Sequence, residues 1–262
     1  MAKVIAVANQ KGGVGKTTTS VNLAAALVPL GYRVLLVDLD AQGNATMGLG
    51  VDKHALTHSA YEVLLGQATL EAVTLTVDPQ GLDLVPGNAD LTAVQVELVS
   101  RIGRERVLDT ALAGSRALYD FVLIDCPPAL NILTLNALVA ADSVLIPMQC
   151  EYYALEGLSD LVGTLEEIRG VLNPSLEIEG IVRTLFDGRS RLSGEVSQQL
   201  LDHFGDRVFT TVIPRNIRLA EAPSHGVSIL AYDRNSRGAE AYGALALELV
   251  RRNLEGSLEA EA

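Results

Sequence analysis

The stretch KGGVGKTT near the N-terminus brings together the residues best suited to hold a phosphate: Lys11, Gly12, Gly13, Val14, Gly15, Lys16, Thr17 and Thr18. Glycines let backbone N–H groups turn onto an anion with no Cβ in the way. In loops of this kind the lysine, here Lys16, reaches the β/γ-phosphates of a nucleoside triphosphate, and the following hydroxyl, Thr17, ligates Mg²⁺. The strict spacing asks for a glycine where Gln10 stands, so the pattern fails by one residue, and a second lysine, Lys11, follows directly. Two further stretches carry acids that serve the same chemistry. VDLDAQG holds Asp38 and Asp40, and DFVLID ends in Asp125. A run of apolar residues closing on an aspartate, downstream of a phosphate loop, is the pattern that binds magnesium or orients the attacking water.

These residues need elements to position them. Lys3 to Ala8 is a short apolar run that predicts a buried strand, and SVNLAAALVPLG predicts a helix after the glycine loop, with Gly31 at its C-cap. Further strands are expected at Arg33–Asp38, Leu82–Pro86, Asp120–Asp125, Ser143–Pro147, Leu176–Leu185 and Arg207–Ile213. Helices are expected after the cap at Ser59, near Thr69, and at Asp90–Val99, Arg104–Leu112, Leu130–Ala141, Glu156–Leu172 and Leu192–Phe204. Residues 45–58 read as irregular. Strands alternating with helices imply an α/β fold: a mostly parallel, twisted sheet with helices on both faces. Residues 1–252 read as one domain, and the acidic tail 253–262 is expected to fray.

Composition narrows the function. Apolar residues make up 48% of the chain and aromatics only 4%, so the core must be aliphatic, as in covered parallel sheets. A net charge of −12 argues against a protein that coats nucleic acid with its whole surface. Residues 181–240 are near neutral, however, with eight arginines against seven acids. No apolar run approaches the ~20 residues of a membrane span, and Met1-Ala2-Lys3 leads into the first strand without the layout of a signal peptide. Cys126 and Cys150 lack metal or redox spacing and read as small buried residues of a reduced, cytoplasmic protein. His54 and His58 are spaced i, i+4 but have no third ligand nearby, and His225 reads as structural.

KGGVGKTT, VDLDAQGNAT, LIDCPP, QCEYYALEGL, IPRNIRLAEAPSHG and NSRGAEAY, in this order, resemble the ParA/Soj family of chromosome- and plasmid-partitioning ATPases, from Ala2 to about Arg251. The wider group has a deviant Walker A loop and a P-loop NTPase-like three-layer sandwich. The resemblance implies ATP and Mg²⁺ as cofactors and a homodimer when ATP is bound. Lys11 is similar to the signature lysine that reaches a partner's phosphates across the dimer. Asp40 resembles the switch I aspartate that positions or activates water, with Asp38 as its rival, Asp125 resembles the switch II aspartate, and Thr17, Asp40 and Asp125 are the residues the resemblance places around magnesium. Relatives often carry Pro after the switch I aspartate, where this chain has Ala41. Pro214 and Asn216 match positions that hold the adenine. Arg189 and Arg218 match arginines that bind double-stranded DNA without sequence preference, with Arg183, Arg191, Arg215 and Arg237 as weaker candidates. A ParB-type centromere-binding partner and a cytoplasmic, nucleoid-associated location are implied as well.

Other readings share the loop. A MinD-like membrane-cycling ATPase would want a basic amphipathic C-terminal helix, where residues 251–262 carry acids, so no membrane partner is expected. An electron-transfer ATPase would need cysteines converging on a cluster, and a small-molecule ligase would need an acceptor site that no motif supplies.

Overall fold

The computed structural model describes residues 1–260, with side chains through residue 255. The strands are β1 (Lys3–Val7), β2 (Val34–Asp38), β3 (Leu75–Val77), β4 (Leu82–Val85), β5 (Phe121–Asp125), β6 (Ser143–Gln149), β7 (Glu177–Phe186) and β8 (Val208–Pro214). They form one sheet in the order β3-β4-β2-β5-β1-β6-β7-β8. All pairings are parallel except β3 with β4. The chain leaves β1 toward β2 on one side and later fills β6 on the other, so β1 ends at a point where connections diverge, the place where open α/β sheets hold ligands. Register sharpens this. Val7 lies opposite Asp125, and Asp125 lies opposite Asp38, so three strand ends and two carboxylates align beside the glycine loop.

Alternate residues of each central strand face opposite layers. Val4, Ala6, Leu35, Val37, Val122 and Ile124 pack into one aliphatic core, and Ile5, Val7, Val34, Leu36, Phe121 and Leu123 into the other. The first face is covered by α3 (Ala60–Leu65), α4 (Leu70–Val73), α5 (Leu91–Glu97), α6 (Val107–Leu112), α7 (Ile132–Ala140), α8 (Ala154–Val171) and α9 (Arg191–Phe204). The second is covered by α1 (Lys16–Leu27), α2 (Asn44–Gly48), α10 (Ile217–Glu221), α11 (Ile229–Tyr232) and α12 (Arg237–Ala260). Both faces of the strands are therefore dry, which is why they read as continuous apolar runs. The expected three-layer α/β sandwich is what forms. Seven strands lie where the sequence places them, within a residue or two.

The sequence reading left out five elements, β3, α2, α10, α11 and α12. Residues 45–58 are not all irregular, since α2 opens there. The edge strand β3 was not expected, being only three residues long and half exposed. The tail expected to fray from residue 253 continues α12 to Ala260, while residues 261–262 lie outside the described residues.

Helix α12 protects the far edge of the sheet. An edge strand presents unpaired N–H groups that invite association. Glu248, 5% exposed, accepts from the Thr210 amide at 2.8 Å, the Thr211 amide at 2.9 Å and the Thr211 hydroxyl at 2.7 Å. Arg252 completes the group, donating to Glu248 at 2.8 Å and lying over the Phe209 ring at 4.1 Å. Burial works against the Glu248 charge, but the Thr211 hydroxyl and the two amides outweigh it and pull the carboxyl down from 4.5 to about 2. Glu248→Ala should lower stability by about 1–3 kcal/mol at pH 7, measured by urea unfolding. Because the folded carboxyl titrates below the unfolded one, its contribution is complete above pH 4.5 and is lost toward pH 2, so parent and variant should converge in acid.

Candidate functional site

The loop between β1 and α1 takes its shape from two glycines with positive φ, Gly13 at +74° and Gly15 at +87°. Gly15 is the N-cap of α1 and has no side-chain cap, so the first-turn N–H groups are left for a ligand. Lys16 is 7% exposed, and its Nζ donates to the Lys11 carbonyl at 3.1 Å, folding the side chain back over the loop. Burial lowers its pKa, and the nearby charges of Asp125, Cys126 and Asp40 work in the other direction. Thr17, at the start of α1, lies beside Asp125.

Asp38 and Asp125 are both fully buried. Asp125 accepts from the Ser20 hydroxyl at 2.8 Å through Oδ1, while its buried Oδ2 has no partner. Burial, and then the charge of Asp38, hold the Asp125 carboxyl well above the ordinary aspartate range. Burial also raises Asp38, opposed by the hydroxyl and amide of Thr46. An orphaned carboxylate oxygen beside a lysine and a threonine hydroxyl fits Mg²⁺: Thr17 and Asp125 supply hard oxygens and the cation would supply the missing charge.

The structure separates Asp38 from Asp40. Asp38 Oδ2 takes the Thr46 amide at 2.9 Å and the Thr46 hydroxyl at 2.7 Å, and Oδ1 takes the Asp40 amide at 3.2 Å. It is the anchor of the turn and of α2. Asp40 is half-buried, accepts only the nearby Gln42 amide at 3.0 Å, and is close enough to act on Lys16, Asp125 and Asp38. Asp40 is thus the acid positioned toward the loop, and Asp38 the acid that holds Asp40 in place.

Pro214 and Asn216 line a cavity of about 100 Å³ with Gly15, Thr18, Thr184 and Leu185. Asn216 also caps α10, its Oδ1 accepting from Leu219 N at 3.3 Å. A cavity of about 310 Å³ lies on the other side of Thr17 and Thr18, against Asn44, Met47 and Pro223. A larger one, about 580 Å³, lies between α5, α7 and α8 and holds none of these residues. Its lining carries one cation, Arg104, but none of the glycines, lysines or acids of the loop site.

Lys11 is exposed, and its Nζ pairs with Glu151 Oε2 at 2.6 Å rather than turning into its own loop. The arginines are divided. Arg189 is exposed and paired with Asp187 at 3.0 Å; Arg218 is exposed and paired with Glu221 at 2.9 Å. Arg183 is buried, donating to the Ser197 hydroxyl and the carbonyls of Phe209 and Thr210, so it cannot meet DNA. His54 and His58 are exposed, and no group of three metal-binding side chains exists among the described residues. Both cysteines are buried free thiols. No helix among the described residues is long and apolar enough to cross a membrane. Ser20, Thr46, Glu151 and Thr184 complete the site without having been singled out. Thr46 and Glu151 lie inside quoted motifs, and Ser20 stands one helical turn after Lys16.

The sequence profile of the AAA domain family matches residues 2–178. Sporulation initiation inhibitor protein Soj of Bacillus subtilis is 51% identical over 249 residues, 95% of this chain and 98% of Soj. Chromosome partitioning protein ParA of Caulobacter vibrioides is 48% identical over 260 residues, 98% of this chain and 97% of ParA. A solved structure described as cobyrinic acid a,c-diamide synthase from Mycobacterium smegmatis, with bound ATP analog and magnesium, is similar at a TM-score of 0.86 and 40% identity, covering 98% of this chain and 97% of that one.

The buried acids make a testable liability. A folded state that keeps a proton on Asp125 above the ordinary 3.8 binds more protons than the unfolded state, so stability falls as pH rises from there. Asp125→Asn removes that proton linkage. In magnesium- and nucleotide-free buffer the variant should be more stable than the parent by an amount that grows from pH 4 upward, on the order of 1–3 kcal/mol by pH 7. Thermal unfolding across pH checks this, and a constant difference would contradict it.

Proposed function

The chain belongs to the Soj/ParA family of chromosome-partitioning ATPases, and on that premise we propose that it is a DNA-segregation switch, dimeric and DNA-bound with ATP and released by hydrolysis. Its cofactors are ATP and Mg²⁺. The observation that carries the dimer is Lys11. Lys16 already folds over the chain's own loop, while Lys11 points outward and is held only by Glu151. A half-exposed pair of this kind contributes at most about 1 kcal/mol, so a phosphate on a second copy can displace Glu151. Two nucleotides facing each other repel, and a lysine from each chain on the other's phosphates offsets that repulsion.

In hydrolysis, Asp40 positions the water that adds to the γ-phosphorus as the bond to the ADP oxygen breaks. Lys16 stays on the phosphates throughout. Thr17 and Asp125 would hold the magnesium ion, which would neutralise phosphate charge. Asp38 fixes Asp40 through its amide. Pro214 and Asn216 receive the base. Arg189 and Arg218 contact DNA phosphates after exchanging their local acids. One chain offers too few cations, and two chains double the set, which makes DNA binding depend on ATP through valency. A ParB-type partner stimulates turnover, and the protein resides in the cytoplasm on the nucleoid. The relative named for chromosome partitioning is 48% identical, against 40% for the neighbour named a diamide synthase, so the ligase reading is the weaker one.

Co-sedimentation with double-stranded DNA should show binding with ATP and none with ADP or without nucleotide. Equal binding in all three states would refute the switch. With about four arginine–phosphate contacts per dimer, affinity should fall on the order of a hundredfold between 50 and 200 mM salt. Replacing Arg189 or Arg218 with Glu should reduce DNA binding and leave basal ATP turnover intact. Asp40→Ala should keep ATP and DNA binding and lose turnover, measured by phosphate release; rapid release by that variant would reassign the acid.

A further inference from the structure

The end of β7 touches the phosphate loop through one side chain. Thr184 is 2% exposed, and its hydroxyl donates a 2.7 Å hydrogen bond to the carbonyl of Val14. A Cβ built on Gly15 would lie 3.8 Å from the Thr184 Cβ, so Thr184 covers the whole peptide unit that joins Val14 to Gly15. That unit is planar and trans, which puts its carbonyl and its N–H on opposite sides. Holding the Val14 oxygen against β7 therefore turns the Gly15 N–H away from β7. No hydrogen bond among the described residues takes up that N–H. It stands at the N-cap of α1, where an anion is favoured.

The next residue adds a second, independent feature. Leu185 has φ of +50°, the one positive value at a non-glycine position among the described residues. Such backbone persists only where the surroundings over-determine it, and it clusters at ligand sites. Leu185 lines the small cavity beside Pro214 and Asn216. Adjacent residues at the end of β7 thus reach two neighbouring places: the hydroxyl of Thr184 bonds the phosphate loop, and Leu185 lines the cavity beside Pro214 and Asn216.

We propose that Thr184 is a positioning residue for nucleotide binding, its hydroxyl setting the Val14–Gly15 peptide so that the Gly15 N–H faces the phosphates. The proposal rests on the assignment of ATP to this loop. It concerns a step that affects bound ADP and ATP alike, because the peptide belongs to the loop and not to the reacting γ-phosphate.

The test compares Thr184→Val, which keeps the shape and loses the donor, with Thr184→Ser, which keeps the donor. Binding of a fluorescent ADP analogue with magnesium to the full chain should weaken about tenfold in Thr184→Val, the equivalent of 1.4 kcal/mol, and stay within about twofold of the parent in Thr184→Ser. KM for ATP should rise in parallel in Thr184→Val, while kcat at saturating ATP should change by less than about twofold, since the interaction is uniform between ground and transition states. If Thr184→Val does not fold, as judged by circular dichroism, Thr184→Ala takes its place against Thr184→Ser with the same expectations. Nucleotide affinity within twofold of the parent in the donor-free variant, or equal loss in Thr184→Ser, overturns the proposal. Lys16→Ala separates the two failures. A parent that binds no better than Lys16→Ala refutes the nucleotide assignment itself, whereas a parent that binds, beside a Thr184→Val variant that binds equally, refutes only the role of Thr184.

Discussion

Two carboxylates buried on neighbouring strands are the constraint to which the rest of the site responds. The register that aligns Val7, Asp125 and Asp38 puts both acids at the dry end of the sheet, beside each other and beside Lys16. Burying a charge without a partner is costly, and two like charges compound the cost. The chain meets it in part with hydroxyls, Ser20 on Asp125 and Thr46 on Asp38, and leaves one Asp125 oxygen without a partner. What the protein lacks there is positive charge, which a magnesium ion held at Asp125 would supply. The fold is arranged so that the ligand completes its electrostatics.

The same constraint gives two nearby aspartates different surroundings. Asp38 accepts three hydrogen bonds from its own turn, two on Oδ2 and one on Oδ1, where Asp40 accepts one. Its bonds tie the end of β2 to the start of α2, so the segment carrying Asp40 is held by the acid two residues before it. Farther along, Gly50 and Gly226 meet backbone to backbone, and a Cβ on Gly226 would lie 2.6 Å from the Gly50 Cα. The segment that follows Asn216 therefore rests on the segment that follows Asp40. On the proposed function, the segments assigned to the base and to hydrolysis are in direct contact, which would give the nucleotide a route to bias both.

Much of this was legible in the sequence for a physical reason. A parallel sheet covered on both faces writes its strands as uninterrupted Val, Ile and Leu, and an acid or glycine that ends such a run marks the ligand edge. Lys16, Thr17 and Asp125 stand at such ends. What stayed hidden depends on distance across the fold. Arg183 is one more arginine in a near-neutral stretch until β8 and α9 close over it. Thr184 meets Val14 only because β7 ends beside the loop. The edge strand β3 is too short and too exposed to leave a period-two signature. Helix α12 is the instructive omission. Tyr242, Leu245, Ala246 and Leu249 carry its i, i+3, i+4, i+7 stripe, all buried on the second face. The motif at its start drew attention to function, while its role is to cap the edge of β8 and to hold the back of α1 through the 3.2 Å contact of Tyr242 with Thr19.

The cations at the proposed contact points share one arrangement. Lys11, Arg189 and Arg218 are each exposed and each held by a local acid: Glu151, Asp187 and Glu221. In a chain of net charge −12, a free cation would draw polyanions in every state. A cation already paired competes weakly, and one such contact does not outlast the exchange. Several contacts made at once do, because the second and later ones form at the high effective concentration set by the first. On the proposed function, local acids would raise the threshold for DNA binding, and dimer formation would cross it. On this reading the acidic balance of the chain is not an obstacle to DNA binding but the source of its dependence on ATP.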